Sequence, residues 1–420
     1  MFPFEHALGD GLVLRTLRNE ADVDGFAALH GIISAAEQIT CAYLPRHHPT
    51  TSFDDYLVVE DTREGRIVST TCLLPWHWRY EQVSLGAAML EMVVTHPDYR
   101  QRGLVRAQIE RFHQIVAARG DNLSVIEGIP YYYRQYGYAY AVDHYPTYSL
   151  PAWRAAEAPV EAPGAHTVRQ AAPDEAGALA ALYAQAMAPL DLITQRDAAY
   201  WRFLLEWARY PAWLIERAGE AVGYLVIQPG SRGPRVLESG IRDHAAALAA
   251  LHHLRAQAAA EIQIAAPPTD ALLQLAQSLG ATPLPSDQWL IRLRDTAGFL
   301  ATIGPALERR LAASAYAGLT TDLILNLFRR ACRLRFSDGK LTQVQDIGFV
   351  DASLGANGGD LCIPPDAFIR LIFGYRSLSE LRDAWPDIVV KPAHRHLWET
   401  LFPPLRAYLS MPYLYCGPTT

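Results

Sequence analysis

The chain has 420 residues, of which 50% are hydrophobic and 19% are charged, and its formal net charge is −7. Such a length is typical of about two to four domains, and the apolar content is enough for several cores, which argues against a disordered chain. A mildly acidic chain without basic runs is a poor partner for nucleic acid or for an anionic membrane. It suits a small cationic substrate better.

The sequence also indicates a cytoplasmic protein. Its first residues lack the basic region and apolar stretch of a signal peptide, and no uninterrupted apolar run has transmembrane length. The cysteines are scattered without a CxxC pair, as expected for thiols that fill small core positions in a reducing compartment. They are Cys41, Cys72, Cys332, Cys362 and Cys416.

Residues 1–150 are predicted to form one α+β domain. Alternating apolar residues predict strands, and apolar residues three and four apart predict helices. In chain order these elements are a strand at Leu12–Leu17, a helix at Ala21–Ala36, a hairpin of Tyr56–Glu60 and Ile67–Leu74, a strand at Ala88–Thr95, a helix at Gly103–Ala118, and strands at Leu123–Ile126 and Tyr138–Leu150.

Residues 151–165 are rich in Pro and Ala and are predicted to be a linker, after which the pattern of the first domain begins again. Val13–Arg15 and the hairpin Tyr56–Val68 are matched by Thr167–Arg169 and the hairpin Trp213–Gly223. The second copy has no counterpart of an Arg-rich, Gly-containing turn that the first copy carries. We therefore expect residues 166–298 to repeat the fold without its binding site.

Residues 299–420 are predicted to form a third, α+β module. Asp338-Gly339 is a strong hairpin turn between two predicted strands, and Ser377 with Glu380 is a capping box at the start of a helix. The predicted elements are strands at Leu323–Phe328, Cys332–Phe336 and Leu341–Gln345 and helices at Pro365–Phe373 and Ser377–Trp385.

The segment from Met92 to Arg106 carries the strongest chemical signal. A β-rich strand runs into Pro97, a basic turn that contains Gly103, and an amphipathic helix. Free backbone N–H groups at a helix N-terminus bind phosphate, and glycine lets the main chain approach a pyrophosphate closely. Arg100 and Arg102 would add charge-assisted contacts. The segment therefore predicts an anion cradle.

These residues resemble the GNAT superfamily of N-acetyltransferases, whose acetyl-CoA motif is R/Q-x-x-G-x-G/A after a strand. Residues 100–105 match this motif except at Val105, where the family has Gly or Ala. Residues 129–138 resemble the family motif FY-x-x-x-G-F. Counting back four positions from Gly137 gives Tyr133, which the resemblance implies is the general acid.

The layout of the chain resembles the enhanced-intracellular-survival aminoglycoside acetyltransferases. The resemblance implies a catalytic GNAT domain, a degenerate second GNAT domain, a sterol-carrier-protein-like C-terminal domain and a closed homo-oligomer, a hexamer in that group. It also implies that the C-terminal carboxylate, here that of Thr420, acts as base. Carried over by position, the residues that hold acetyl-CoA are Val93, Val94, Thr95, Arg100, Gln101, Arg102, Gly103, Leu104, Val105, Arg106, Gly128 and Ile129.

Such an enzyme works by direct attack of an amine on the thioester. The amine must lose a proton, and a tyrosine near the sulfur can protonate the departing thiolate. Strand N–H groups near Val94 can stabilise the oxyanion. Neither a metal nor a covalent enzyme intermediate is needed, and the histidines at 47–48 and 394–396 lack a matched third zinc ligand.

Four further residues have both a functional and a structural interpretation. Glu91, on the strand before the turn, would relay a proton through water or would be a paired strand residue. Trp76, Trp78 and Glu127 would bind the amine substrate, although core packing is the commoner use of buried aromatic rings.

The acceptor predicted from the resemblance is a small cationic amine, aminoglycoside-like or polyamine-like. Two other classes of function stay open, namely a regulatory pseudo-enzyme that binds acyl-CoA and a lipid-binding protein that works through its third module. The presence of Tyr133 argues against the first. The motif at Arg100–Gly103 in the first copy, beside its absence from the second, argues against the other.

Overall fold

The computed structural model describes residues 4–129, 131–144, 146–159, 166–207, 210–352 and 358–410. Within them the chain forms three sheets of ten, seven and five strands with helices packed against them. The predicted α+β class is confirmed. None of the helices in these ranges combines the length and the apolar character needed to cross a bilayer.

The strands are β1 (Glu5–Gly9), β2 (Leu12–Thr16), β3 (Tyr56–Asp61), β4 (Arg66–Tyr80), β5 (Val83–Thr95), β6 (Leu123–Ile126), β7 (Ala139–Asp143), β8 (Thr147–Pro151), β9 (Thr167–Gln170), β10 (Leu192–Thr194), β11 (Ala212–Arg217), β12 (Glu220–Gln228), β13 (Arg235–Ile241), β14 (Glu261–Ala265), β15 (Thr282–Pro283), β16 (Gln288–Leu293), β17 (Thr321–Asn326), β18 (Ala331–Ser337), β19 (Lys340–Gly348), β20 (Leu361–Cys362), β21 (Val389–Val390) and β22 (Ala407–Tyr408).

The helices are α1 (Glu20–His30), α2 (Ala35–His47), α3 (Leu104–Ala118), α4 (Ala152–Ala155), α5 (Ala176–Met187), α6 (Ala198–Trp207), α7 (His244–Arg255), α8 (Ala271–Ser278), α9 (Thr296–Thr302), α10 (Gly304–Ala312), α11 (Pro365–Ile372), α12 (Leu378–Ala384) and α13 (Arg395–Leu401).

The first two sheets repeat one topology. In the first, β2 to β5 form an antiparallel meander, α3 crosses over, and β6 returns parallel to β5. In the second, β9, β11, β12 and β13 form the meander, α7 crosses over, and β14 returns parallel to β13. Two helices follow the first strand of each meander, α1 and α2 in one case and α5 and α6 in the other.

The two sheets exchange strands. β16 enters the first sheet between β6 and β7, and β8 enters the second sheet beside β14. Leu290 and Trp289 of β16 are accordingly buried in the first sheet. Each sheet therefore depends on a strand from the other half of the chain.

Two sequence predictions need correction. Ala21–Ala36 is not one helix, because α1 ends at His30 and α2 begins at Ala35 with Ser34 as its N-cap. Tyr138–Leu150 is not one strand but β7 and β8 in different sheets; Pro146 between them has no N–H to donate to a ladder. The predicted linker begins with helix α4, whose Ala155 is fully buried, and residues 160–165 lie outside the described ranges.

The third sheet has the order β19-β18-β17-β20-β21. The predicted hairpin is confirmed as β18 and β19, with Asp338 and Gly339 both at positive φ between them. The capping box is confirmed as well, since Ser377 Oγ accepts from Glu380 N at 3.3 Å and Ser377 N donates to Glu380 Oε2 at 2.7 Å.

Candidate active site

A gap between β5 and β6 forms the centre of the site. The two strands pair in parallel only over Ala87–Met89 and Leu123–Val125. Beyond Met89 the described strands separate, so the edge of β5 from Val93 to Thr95 faces a cleft instead of a neighbouring strand. Backbone N–H and C=O groups at such an edge are available to a ligand.

A β-bulge bends β5 where it reaches this cleft. Thr70 pairs with Val94 and Cys72 pairs with Glu91, so that one residue of β4 opposes two of β5. Met92, inside the bulge, has a φ of 54°, which is unusual for a side chain other than glycine. Bulges re-aim the strand locally and recur next to active sites.

The basic turn forms one end of the cleft. Gln101 and Gly103 have φ values of 63° and 75°, and Gly103 is the residue before α3. A turn of this kind can direct successive backbone N–H groups into one concavity, to which the helix dipole adds positive potential. The first turn of α3 contains no acidic residue, and no side chain caps it. Arg100 and Arg106 are exposed beside it.

Tyr133 forms the other end of the cleft, within a short 3₁₀ segment at Tyr132–Tyr136. The side chain is 5% exposed, and burial, followed by the nearby Glu91 carboxylate, raises the pKa of Tyr133 well above its usual range. A Cβ atom on Gly128 would lie 2.2 Å from Cε2 of the Tyr133 ring. Gly128 is therefore what leaves room for this ring.

The cleft has a volume of about 580 Å³ and joins the strand, the turn and the tyrosine. The predicted cofactor residues that line it are Val93, Val94, Thr95, Arg100, Gln101, Gly103, Leu104, Val105, Arg106 and Ile129. Two others do not line it. The guanidinium carbon of Arg102 lies 4.9 Å from the centroid of the Tyr99 ring, and Gly128 packs against Tyr133.

Sequence reasoning missed part of the lining. Ile32 and Ile33, in the turn between α1 and α2, are 48% and 53% exposed at the cleft. Both lie within the helix predicted at Ala21–Ala36, and the break after His30 is what exposes them. Tyr132 and Tyr136, which have no place in the predicted site, also line the cleft.

The tryptophans predicted to bind substrate lie elsewhere. Trp78 is fully buried and Trp76 is 4% exposed, with its ring 5.1 Å from that of Tyr200. Both rings therefore belong to the buried core, Trp76 against α6, and the structure does not bring them to the cleft. Glu127 does not line the cleft either, and its carboxylate lies 3.0 Å from Nε2 of His144.

Of the two candidate bases, Glu91 lies within the described residues and Thr420 does not. Glu91 is half-buried on β5, and its carboxylate accepts a hydrogen bond from Met92 N at 3.2 Å. Its negative charge contributes, after burial, to the raised pKa of Tyr133. Thr420 lies outside the described residues.

The histidines considered as metal ligands have other contacts. The His47 ring stacks on Trp207 at 3.6 Å, and His394 Nδ1 lies 2.9 Å from Asp360 Oδ1. Within the described ranges no group of three or more His, Cys, Asp or Glu side chains is arranged to hold a metal ion.

The corresponding gap in the second sheet is filled by the chain itself. β13 and β14 pair only at Arg235–Val236 and Gln263–Ile264. Beyond these pairs, the buried carboxylate of Asp270 accepts bonds from Ile241 N at 2.8 Å and from Ser239 Oγ at 3.0 Å. It also caps α8, through Leu272 N at 2.9 Å and Leu273 N at 3.2 Å.

This internal carboxylate changes what the second gap can bind. Burial is the main cause that raises the pKa of Asp270 to about 6, so near neutral pH the group is largely ionised and repels anions. The cavity beside it measures about 200 Å³. The N–H groups of Ile241, Leu272 and Leu273 are already bound to this carboxylate.

Comparison with known protein families finds one that matches the part of the chain containing this cleft. Residues 15–141 match the model of the acetyltransferase (GNAT) domain family. The matched range contains the bulge, the basic turn, α3 and Tyr133. No curated protein matches the sequence significantly.

Solved structures resemble almost the whole chain. A GCN5-related N-acetyltransferase from Anabaena variabilis superposes with a TM-score of 0.69 at 16% identity, covering 95% of this chain and 99% of the other. A probable N-acyltransferase from Enterococcus faecalis gives 0.72 at 15%, with the same two coverages. Eis1 from Mycobacterium abscessus gives 0.62 at 17%, again covering 95% and 99%. Residues 15–141 thus match the GNAT acetyltransferase domain family, in a chain that shares its fold with these proteins.

Proposed function

We propose that the protein is an acetyl-CoA-dependent N-acetyltransferase that acts on a primary amine of a small cationic acceptor, aminoglycoside-like or polyamine-like, by direct attack. One observation carries this proposal: a single cleft joins an uncapped helix N-terminus, an open strand edge and a buried tyrosine. A phosphate-binding turn and a proton donor in one cleft are what acyl transfer from a CoA thioester requires.

The residues of the cleft fit acetyl-CoA. The turn Gln101–Gly103 and the N-terminus of α3 would hold the pyrophosphate, with Arg100 and Arg106 as counter-charges. Val93, Val94 and Thr95 offer a strand edge to the pantetheine amides, which would extend the sheet in place of the missing neighbour. Bound acetyl-CoA supplies the activated acetyl group.

Tyr133 fits the role of general acid. Its raised pKa means that the hydroxyl keeps its proton at neutral pH, and Tyr133 would pass that proton to the sulfur as the carbon–sulfur bond breaks. Backbone N–H groups near Val94 would stabilise negative charge on the acyl oxygen. The negative charge of Glu91 contributes to the raised pKa of Tyr133. The same charge would attract the ammonium group of the substrate, and Glu91 would take a proton from that group through a water molecule.

We also propose the arrangement of the whole chain. Its parts would be a catalytic GNAT domain at 1–150, a linker at 151–165, a degenerate GNAT domain at 166–298 and a sterol-carrier-like domain at 299–420, as in the enhanced-intracellular-survival type. The repeated topology of the first two sheets supports the duplication, and the strand exchange makes the two copies interdependent. A cytoplasmic homo-oligomer, a hexamer as in that group, completes the proposal.

A screen of amines tests the function directly. Acetyl-CoA with kanamycin as an aminoglycoside or spermidine as a polyamine should release CoA thiol, detected with a thiol reagent, at a rate that depends on the amine. Release that requires no amine, or none with any primary amine, would contradict the proposed transfer.

Gly103→Glu should abolish acetyl-CoA binding. The new side chain is strained at a φ of 75°, and its charge opposes the phosphates. Gly219→Glu is the matched control, because Gly219 also has a positive φ, 82°, and open space around it, but lies in the second copy. Calorimetry should give one site per chain for the wild type and the control. Two sites per chain would show that the second copy binds as well.

Tyr133→Phe should lower turnover by about 10²- to 10⁴-fold, the usual range for loss of a general acid. The ring and its packing remain, so acetyl-CoA affinity should change little. Tyr136→Phe removes a hydroxyl from the same cleft and should cost far less. Near-normal turnover of Tyr133→Phe with a good amine would refute the assignment of the acid.

Glu91→Gln should lower turnover by about 10²-fold if Glu91 takes the amine proton, and raising the pH should partly restore it because more amine is then neutral. Glu127→Gln is the control, since Glu127 directly follows β6 and does not line the cleft. Rates are measured against pH for both variants and for a chain that lacks the final residues through Thr420. If this truncation is costly and Glu91→Gln is harmless, the base is the terminal carboxylate.

A further inference from the structure

Three successive residues of β4 with hydroxyl side chains lie beside the bulge of β5. Ser69, Thr70 and Thr71 are all fully buried. Burying a hydroxyl costs free energy unless it finds a partner, and an apolar residue of the same size would avoid that cost. A row of three in a sheet core therefore calls for a specific reason.

Each hydroxyl reaches a carbonyl oxygen of β5. Thr70 Oγ1 donates to Met92 O at 2.9 Å, and Thr71 Oγ1 donates to Glu91 O at 3.1 Å. Ser69 Oγ lies 3.2 Å from Val94 O. These carbonyls belong to the residues at which the bulge disrupts the regular ladder between β4 and β5. We call Ser69, Thr70 and Thr71 the hydroxyl clamp.

His30 of α1 and Gln108 of α3, both fully buried, contact the hydroxyl clamp. His30 Nε2, at the end of α1, lies 3.0 Å from Thr70 Oγ1, and His30 Nδ1 lies 3.3 Å from Glu37 Oε2. Because Thr70 gives its single proton to Met92 O, the ring nitrogen must be the donor to Thr70. On the other side, Ser69 Oγ lies 2.7 Å from Gln108 Oε1 of α3.

We propose that the hydroxyl clamp and His30 are positioning residues for acyl transfer, which fix the β5 backbone at the bulge so that N–H groups near Val94 meet the acyl oxygen. This inference rests on the proposed function. Met92 occupies an unfavourable φ, and such a conformation persists only where the surroundings hold it. The hydrogen bonds of the clamp to the carbonyls of β5 would stabilise this conformation. The contact between Ser69 and Gln108 also connects the bulge to α3, which follows the phosphate-binding turn.

The consequence is a division of roles between two sets of residues. The turn and α3 would set how tightly the cofactor binds, whereas the clamp would set how well the acyl oxygen is held during the reaction. A displacement of a reacting group by about 1 Å can cost on the order of 10²-fold in rate. Loss of a clamp hydroxyl should therefore reduce the rate far more than it reduces cofactor affinity.

Two substitutions at Thr70 separate positioning from stability. Thr70→Val keeps the shape but removes the hydroxyl, and kcat should fall by about 10²-fold. Thr70→Ser loses the methyl group but keeps the hydroxyl, and kcat should stay close to wild type even if the melting temperature drops. Equal losses of kcat in both variants, or a wild-type kcat in Thr70→Val, would overturn the proposal.

A binding measurement provides the second readout. Acetyl-CoA has the acyl oxygen and CoA lacks it, so the ratio of their affinities should fall in Thr70→Val while the affinity for CoA itself is kept. Ser239→Ala is the matched control, since Ser239 is a fully buried hydroxyl of the second sheet. An unchanged ratio in Thr70→Val would overturn the proposal. Failure of the wild type to bind either ligand would overturn the proposed function itself.

Discussion

The separation of β5 from β6 beyond Met89 is the constraint on which the site depends. Two parallel strands that stop pairing leave main-chain donors and acceptors facing a cleft, and those groups need partners. The bulge at Met92 bends one wall of the cleft, and the turn before α3 adds donors at one end. Tyr133 closes the other end, in space that Gly128 leaves free.

In the second sheet the corresponding strands, β13 and β14, also separate, but a side chain of the protein fills the gap. There the carboxylate of Asp270 accepts hydrogen bonds from Ser239, from Ile241 and from the first turn of α8. A ligand carboxyl or phosphate would have to displace an internal carboxylate there. The two sheets thus illustrate one topology with an open gap and with a filled gap, and the difference lies in a few side chains.

Local features of the site could be predicted from the sequence, and its long-range features could not. The turn at Arg100–Gly103 and the helix after it follow from neighbouring residues, as does the capping box at Ser377. The exchange of β8 and β16 joins residues more than a hundred positions apart, which no periodicity reveals. Trp76 illustrates the same difficulty, because a ring on a strand pattern gives no sign of whether a distant helix covers it, as Tyr200 of α6 does here.

Hydrogen–deuterium exchange with and without acetyl-CoA tests the central claim most directly, because it reports where backbone amides gain protection. The account predicts slower exchange at residues 92–106, which contain the bulge, the turn and the start of α3, and no change at residues 239–273 around Asp270. Unchanged exchange at 92–106, or protection at 239–273 instead, would contradict it.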